Sequence, residues 1–418
     1  MAQFNITLTE EQIKALLSGK GGLKTLVEPV LNQILDAQLT DHLEAEPYER
    51  TRDRKGYRNG FRTRQFNTRI GRLNLQVPQT RNGQFSSGLF QRYQRSEQAF
   101  LLAMMEMVIQ GVSTRKVTAI TEELCGTQFS KSTVSRLCGQ LDGLVTAWNS
   151  RPLGSKAYPF LLVDAMWIKV RRDQRVQPDS VLIAVGVNEE GYREILGLYV
   201  GDSESFNTWE NMFRRLKERG LSGIYSVTSD NHKGLVKAVK KHFQGVTWQR
   251  CQVHFKKNVL DATPARYKAE IKEWLNRILD AKSEEGAWKL FRQSAKEMTG
   301  KADKALECLE GGLPDVMALC RLPERFRNRL RTTNMVERLN EEVRRRERVI
   351  RIFPNEFSAH RLIGAVLMEI DEKWSTGRLY LNMEVFKEWL EKQPEKSGEQ
   401  RSKNSRNRGS DLVIAQVK

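Results

Sequence analysis

Apolar residues follow two different rhythms along this chain. From 8 to 46 they recur at helical spacing: "LTEEQIKALLSG" has a Thr cap with acids in its first turn, and Leu31, Ile34, Leu35 and Leu39 form one stripe. Helical patterns return over 97–148. After "NSRPLGSKAY" (149–158), which reads as a linker, the rhythm becomes that of strands. "FLLVDAMWIKV" predicts a buried strand, and "VLIAVGVNEEGYREILGLYVG" a hairpin turning at Asn188–Gly191. "NTWENMFRRLKERG" predicts a helix, "IYSVTSD" a strand, "KGLVKAVKKHF" a helix, and "VTWQRCQVHFKKNV" a strand running into a helix. Hairpin strands leading into strand–helix alternation imply an α/β fold with a mixed sheet and helices on its faces. Strand character then disappears over 255–330. Helices follow at about 332–348 and in "SAHRLIGAVLMEIDEKW", and the polar, charged stretch from 395 reads as disordered.

The expected organisation is a helical region (1–48), a basic segment (49–95), a helix-turn-helix-like region (96–150), the first part of an α/β core (158–254), a helical insertion (255–330), the last core helices (331–394) and a tail (395–418). A chain of 418 residues exceeds one ordinary core, so several domains are expected. No apolar run nears the roughly 20 residues that span a bilayer, so no membrane partner is expected. The start, "MAQFNITLTEEQ", does not read as a signal peptide. Five scattered cysteines form no disulfide framework and fit a reducing cytosol.

Charge points to a partner. Lys and Arg number 69 against 51 Asp and Glu, a net +18, as in proteins that neutralise phosphate. The excess is clustered. Between 50 and 81, ten basic residues, Arg58, Arg62 and Arg64 among them, interleave with Tyr57, Phe61 and Phe66 against one acid, Asp53. The end of this segment, "RLNLQVP", alternates like a short strand. DNA-backbone contact is the favoured reading, beside that of a solvated basic loop. In "STRKVTAITEELCG…FSKSTVSRLCGQLDGL" two helices flank a turn, and Ser130 caps a second helix that begins with Lys131, Ser132, Thr133 and Arg136. Such residues meet a DNA groove in helix-turn-helix proteins, although plain helical packing gives the same pattern. Arg344, Arg345, Arg346, Arg348 and Arg351 form a further run, either a solvated helix face or phosphate contacts.

Asp164 interrupts the apolar run 160–170 and needs a partner if buried. Asp230 ends another strand, and functional groups in α/β sheets gather where strands emerge. Two close carboxylates repel, and a divalent cation such as Mg²⁺ relieves this. Paired ions can clamp both oxygens of a phosphoryl transfer. A third acid has to come from an element docked on the sheet: Glu337 borders the apolar stripe Val336, Leu339 and Val343, with Glu341 one turn on. With 51 acids in the chain, many such triples exist by chance, and a hydrogen-bonded buried Asp is the bland alternative.

The stretches "YRNGFRTR", "GRLNLQVPQTRNGQF", "VDAMWIKVR", "ESFNTWENMFRRLKERGL", "SDNHKGL", "WQRCQVHFKKNVL" and "RTTNMVERLNEEVRRRERVIRIFPN" together resemble the mutator-type bacterial transposases of the insertion sequence 256 family, within the DDE superfamily, over about 20–390. The resemblance implies an RNase H-like (retroviral-integrase-like) catalytic domain with a helical insertion before the Glu. It implies Asp164, Asp230 and Glu337 as catalytic metal ligands, and Mg²⁺ with Mn²⁺ as substitute. The implied reaction is end cleavage followed by 3′-OH strand transfer, on double-stranded DNA of transposon ends and target. A homodimer on DNA and a bacterial cytoplasmic, nucleoid-associated location are also implied. Cys251 and His254 of "CQVH" are typical of such enzymes. Two ligands are too few for tetrahedral zinc, so bracing of the active site or DNA contact is expected of them. Trp209 also resembles a family position, with packing as its plain role. Trp167 stands where the family more often has Tyr. The alternatives are a catalytically silent binder of transposon ends, and an RNase H-like nuclease without strand transfer.

Overall fold

The computed structural model describes residues 9–17, 23–52, 54–68, 70–87, 89, 98–125 and 129–393, and the expected disordered tail lies outside them. The chain divides into two compact units, Met1–Leu141 and Asp142–Lys418.

The first unit holds α1 (Glu10–Leu17), α2 (Lys24–Leu43), β1 (Arg58–Thr68), β2 (Gly71–Thr80), α3 (Gln98–Ile109), α4 (Thr114–Cys125) and α5 (Lys131–Cys138). The basic segment is largely a two-stranded antiparallel hairpin, where the sequence pattern gave only the short strand at its end. The alternation of β2 is plain, with Leu73 and Leu75 fully buried. That of β1 is hidden, because its first half is exposed on both faces and only Phe66 and Thr68 are buried. Leu35 of α2 packs with Phe66, Leu73 and Leu75. Glu28 and Asn32 of α2 accept from the β2 N–H groups of Asn74 (2.9 Å) and Gln76 (2.8 Å), which covers that edge of the hairpin.

The second unit opens with α6 (Leu141–Asn149) and continues through β3 (Phe160–Arg172), β4 (Arg175–Val187), β5 (Arg193–Gly201), α7 (Phe206–Glu218), β6 (Ser226–Ser229), α8 (Lys233–His242) and β7 (Thr247–Arg250). Helices α9 (Gln252–Asp261), α10 (Lys268–Leu279), α11 (Glu284–Met298), α12 (Asp303–Val316) and α13 (Glu324–Leu330) follow. The last elements are α14 (Asn334–Ile350), α15 (Glu356–Ser375) and α16 (Met383–Glu391). The expected order of strands and helices between 160 and 261 is the observed one. The unit boundary falls at the first residue of α6 rather than at the expected linker. Asn149 explains this: its amide bonds both the N–H (2.9 Å) and the C=O (2.8 Å) of Leu198, tying α6 to β5 like an extra strand residue.

The sheet is mixed, in the order β5-β4-β3-β6-β7. Strands β5, β4 and β3 are antiparallel, and β3, β6 and β7 are parallel. On one face Leu161, Val163 and Leu182 pack on Trp209 and Phe213 of α7 and on Leu235 and Val239 of α8. On the other, Phe160 meets Phe386 edge to face and Phe326 at a tilt, and α14 and α15 lie across the strands. The stretch 252–330 contains helices alone and has its own apolar core, including Phe255, Leu275, Phe291 and Leu313.

Candidate active site

Asp164 lies inside β3, not at its end. It is paired to Ile183 of β4 on one side. Its tolerance comes from the other side. There β6 pairs with β3 only as far as Leu162↔Thr228, and Phe353 next covers the edge by bonding Lys169 and Arg171. Between them, 163–168 has no strand neighbour on that edge among the described residues, and Asp164 occupies the gap. β6 itself ends at Ser229, so Asp230 opens the connection that follows it, beside this gap, and its charge is felt at Asp164. The alternating pattern that buries Leu161 and Val163 under α7 and α8 turns Asp164 to the opposite face, where α14 packs.

Glu337 arrives after the helical insertion, and three contacts bring the chain back to the strand ends. Thr228 Oγ1 donates to the C=O of Leu330 (2.8 Å), and the Gln252 N–H to the C=O of Arg331 (3.0 Å). Thr333 donates to Cys251 Sγ from both its N–H (3.3 Å) and its Oγ1 (3.2 Å). Cys251 is itself tied to β6 through its N–H to the C=O of Ser229 (2.7 Å). The stripe Val336, Leu339 and Val343 is buried, leaving Glu337 half-buried at its border, 3.8 Å from His254 Nε2 and within reach of Thr333 Oγ1 (3.2 Å).

The electrostatics of Asp164 reflect this setting. It is 8 % exposed and takes one side-chain hydrogen bond, from Asn340 Nδ2 to Oδ2 (2.8 Å). Burial pushes its carboxyl up to about 7; the His254 charge and the Ala165 N–H oppose the rise, and the charges of Asp230 and Glu337 add to it. His254 is held up, at about 9, by the Cys251 sulfur first and then by Asp164 and Glu337, against the effect of burial. Asp230 Oδ1 accepts from the His232 N–H (3.1 Å).

Three acids within each other's fields, one of them buried and short of donors, are an oxygen-rich set suited to a hard divalent cation. They do not form the tightest cluster. Among the described residues, the group of three potential ligands with donor atoms all within 4.8 Å of one another is Cys251, His254 and Glu337. The sulfur of Cys251 is fully buried and already accepts two hydrogen bonds from Thr333, an arrangement that braces the start of α14. Trp209 is fully buried, stacks on Phe213 and donates to Glu204 (3.4 Å). Sequence reasoning missed Asn340 and Thr333. Asn340 carried a signal, a polar residue four after Val336 on an otherwise apolar stripe.

The expected DNA-contacting residues divide by environment. Arg62, Lys131, Ser132 and Arg136 are exposed. Arg58 is engaged with Asp36 (2.9 Å) and Thr40 of α2, so it pins the hairpin. Arg64 is half-buried. Tyr57 is held between Arg54 and Arg81, with guanidinium carbons 5.0 and 5.6 Å from its ring centre, while Phe61 is 57 % exposed. Ser130 caps α5 by accepting from the Thr133 N–H (3.1 Å), as the sequence implies, and Val134, Leu137 and Cys138 are buried behind the exposed face. Arg344 and Arg348 are exposed on α14, Arg345 is paired with Glu342 (3.3 Å), and Arg346 is buried against the same acid. Trp167 is 46 % exposed.

No helix among the described residues is long and apolar enough to cross a membrane. Comparison with known proteins places the chain more firmly than any one contact. Residues 1–377 match the family described as Transposase, Mutator family. The chain is 44% identical over 392 residues to the transposase for insertion sequence element IS256 in transposon Tn4001 of Staphylococcus aureus, covering 92% of this chain and 100% of that one. It is 42% identical over 381 residues to the transposase for insertion sequence element ISRM5 of Rhizobium meliloti, covering 89% and 94%. The solved Mos1 mariner paired end complex with Mn aligns with 55% of this chain and 83% of its own at 13% identity, but its TM-score of 0.14 is too low to bear on the fold. With nine-tenths of its length matched, this chain belongs to the Mutator family of transposases.

Proposed function

We propose that this transposase cleaves DNA at the terminal inverted repeats of its element and joins the freed 3′-OH to target DNA, with Asp164, Asp230 and Glu337 as its catalytic acids. What carries this reading is that Asp164 sits on β3 just past its pairing with β6, that Asp230 directly follows β6, and that the charges of Asp230 and of Glu337 on α14 are both felt at the Asp164 carboxyl. We read the mixed sheet, with its central acid and interposed helices, as RNase H-like. The three acids would hold Mg²⁺ or Mn²⁺, which supplies charge neutralisation at the phosphodiester. Asn340 fixes the Asp164 carboxylate, while Cys251 and Thr333 hold the first turn of α14 and His254 flanks Glu337. The protein's own part is positioning, with no covalent enzyme intermediate.

The exposed bases of the hairpin, the face of α5 and Arg344 and Arg348 of α14 are read as contacts to the DNA backbone. Two ends have to be handled together, so a homodimer on DNA is the expected assembly. The test is strand cleavage of a labelled duplex carrying the element's terminal repeat, with Mg²⁺ or Mn²⁺, alongside a binding assay. Wild type is expected to nick the end, and Asp164→Asn, Asp230→Asn and Glu337→Gln to bind without cutting. Binding by wild type with no cleavage in either metal would instead identify a silent end-binding protein. Cleavage without joining would identify a nuclease.

A further inference from the structure

Asp230 is the acid with the least support from its own strand, because β6 ends one residue before it. Its carboxylate is held from the chain ahead: Oδ1 accepts from the main-chain N–H of His232 (3.1 Å). The side chain of His232 points to another element. Its Nδ1 lies 3.5 Å from Glu204 Oε1, and the Glu204 side chain is only 12% exposed. The same Glu204 oxygen accepts from Trp209 Nε1 (3.4 Å), and Trp209 is immobilised in the core under the sheet.

A second feature fixes the same junction. A Cβ on Gly234 would stand 2.7 Å from the Phe206 N and 3.0 Å from the Ser205 carbonyl carbon, so the turn after Asp230 rests directly on the backbone that starts α7. Ser205 caps that helix by accepting from the Thr208 N–H (3.3 Å), which makes the platform rigid. Burial holds the Glu204 carboxyl above its ordinary range; the His232 charge opposes this and that of Asp230 adds to it, placing all three groups in one electrostatic neighbourhood.

We infer that Glu204 and His232 are positioning residues for Asp230: Trp209 holds Glu204, the Glu204 carboxylate faces the His232 ring at 3.5 Å, and His232 presents its main-chain N–H to the Asp230 carboxylate. The start of α7 thereby belongs to the active site without touching substrate. This rests on the reading of Asp230 as a metal ligand and extends it to a segment with no acid among the three proposed ligands. Partners that orient a ligand in this way typically change metal affinity or activity by about 10–100-fold when removed.

The test is Mn²⁺ binding to the full chain by titration calorimetry. Thermal unfolding without metal and end-DNA binding are followed in parallel, for wild type, Glu204→Gln, Trp209→Phe and Asp230→Asn. Glu204→Gln is expected to weaken Mn²⁺ binding about tenfold and to leave DNA binding unchanged. Trp209→Phe removes the indole donor together with part of a fully buried ring, so its Mn²⁺ binding, expected to weaken by a smaller factor in the same direction, is read against its metal-free unfolding. It also serves as the second variant should Glu204→Gln not fold. If Asp230→Asn loses Mn²⁺ while both other variants bind within twofold of wild type, the positioning role is overturned and the acid site stands. If Asp230→Asn binds Mn²⁺ like wild type, the acid-site reading fails and takes this inference with it.

Discussion

Asp164 and Asp371 are buried alike, 8 % and 9 % exposed, in the same unit, yet their surroundings are opposite. Asp371, on α15, is saturated with donors: the Ile195 N–H (2.6 Å), Trp148 Nε1 (2.8 Å) and Arg151 (3.0 Å). It staples α6 and α15 to β5. Asp164 has one side-chain donor, Asn340, and acids nearby instead of an arginine. Burial raises both carboxyls; the ion-paired Arg151 opposes the rise at Asp371, whereas at Asp164 the His254 charge opposes it and two further acids add to it. A buried acid ringed with donors is structural, whereas one left short of them among other acids has a site still to complete.

That contrast is broken most decisively at Asp164. Asp164→Asn is expected to lower end cleavage by about a thousandfold, since metal-borne stabilisation of several kcal/mol is lost. It is also expected to leave the metal-free protein at least as stable, because an underpaired buried charge is removed. A cleavage assay and a urea melt of the same preparation check both halves, and a large loss of stability would make Asp164 another staple.

Asp371→Ala should do the reverse. Removing one member of a buried, hydrogen-bonded pair costs about 3–5 kcal/mol, because Arg151 loses its acid and two N–H donors lose their acceptor. Chemical denaturation of the second unit should register that cost. In preparations still folded, cleavage per folded molecule should stay near wild type. Cleavage falling out of proportion to folding would erase the distinction between the two aspartates.

The same contrast explains what could be read from the sequence. Asp164 announced itself as an acid in an apolar run, and Glu337 as an acid bordering the stripe Val336, Leu339 and Val343. The succession of strands and helices along the chain followed from alternation and helix spacing, while the order of strands in the sheet did not. Unreadable were contacts between residues distant along the chain: Thr228 to Leu330, 102 residues apart, and Asn149 to Leu198. These return α14 to the sheet and set the start of the second unit. Strand β1 was unreadable for another reason, since its arginine-containing first half is exposed on both faces and has no alternation to detect.

Glu194 offers a milder probe of the donor-saturated class. Burial would raise its carboxyl, but Asn188, Tyr158 and Lys156 bond it and hold it below the ordinary range. A folded-state pKa below the unfolded one gives stability that is present above the unfolded value, near 4.5, and is lost as pH falls through the folded value. Thermal melts from pH 5 down to pH 3 should show wild type losing stability more steeply than Glu194→Gln, with the two curves parallel above pH 6. Equal slopes on the acid side would remove Glu194 from that class.

The smallest expected effect lies at Asn340, where the two classes meet. Among the described residues its Nδ2 is the one side-chain donor to Asp164, and its buried Oδ1 has no hydrogen-bond partner. Were Asp164 a staple, Asn340 would be its anchor, and Asn340→Ala would cost stability as Asp371→Ala does. If Asp164 is held for a cation, Asn340 only orients a carboxylate. Asn340→Ala should then cost about 1 kcal/mol of stability and lower cleavage about tenfold, with part of the loss recovered at raised Mn²⁺. Loss of cleavage that added metal leaves untouched would place Asn340, and with it Asp164, on the structural side of the comparison.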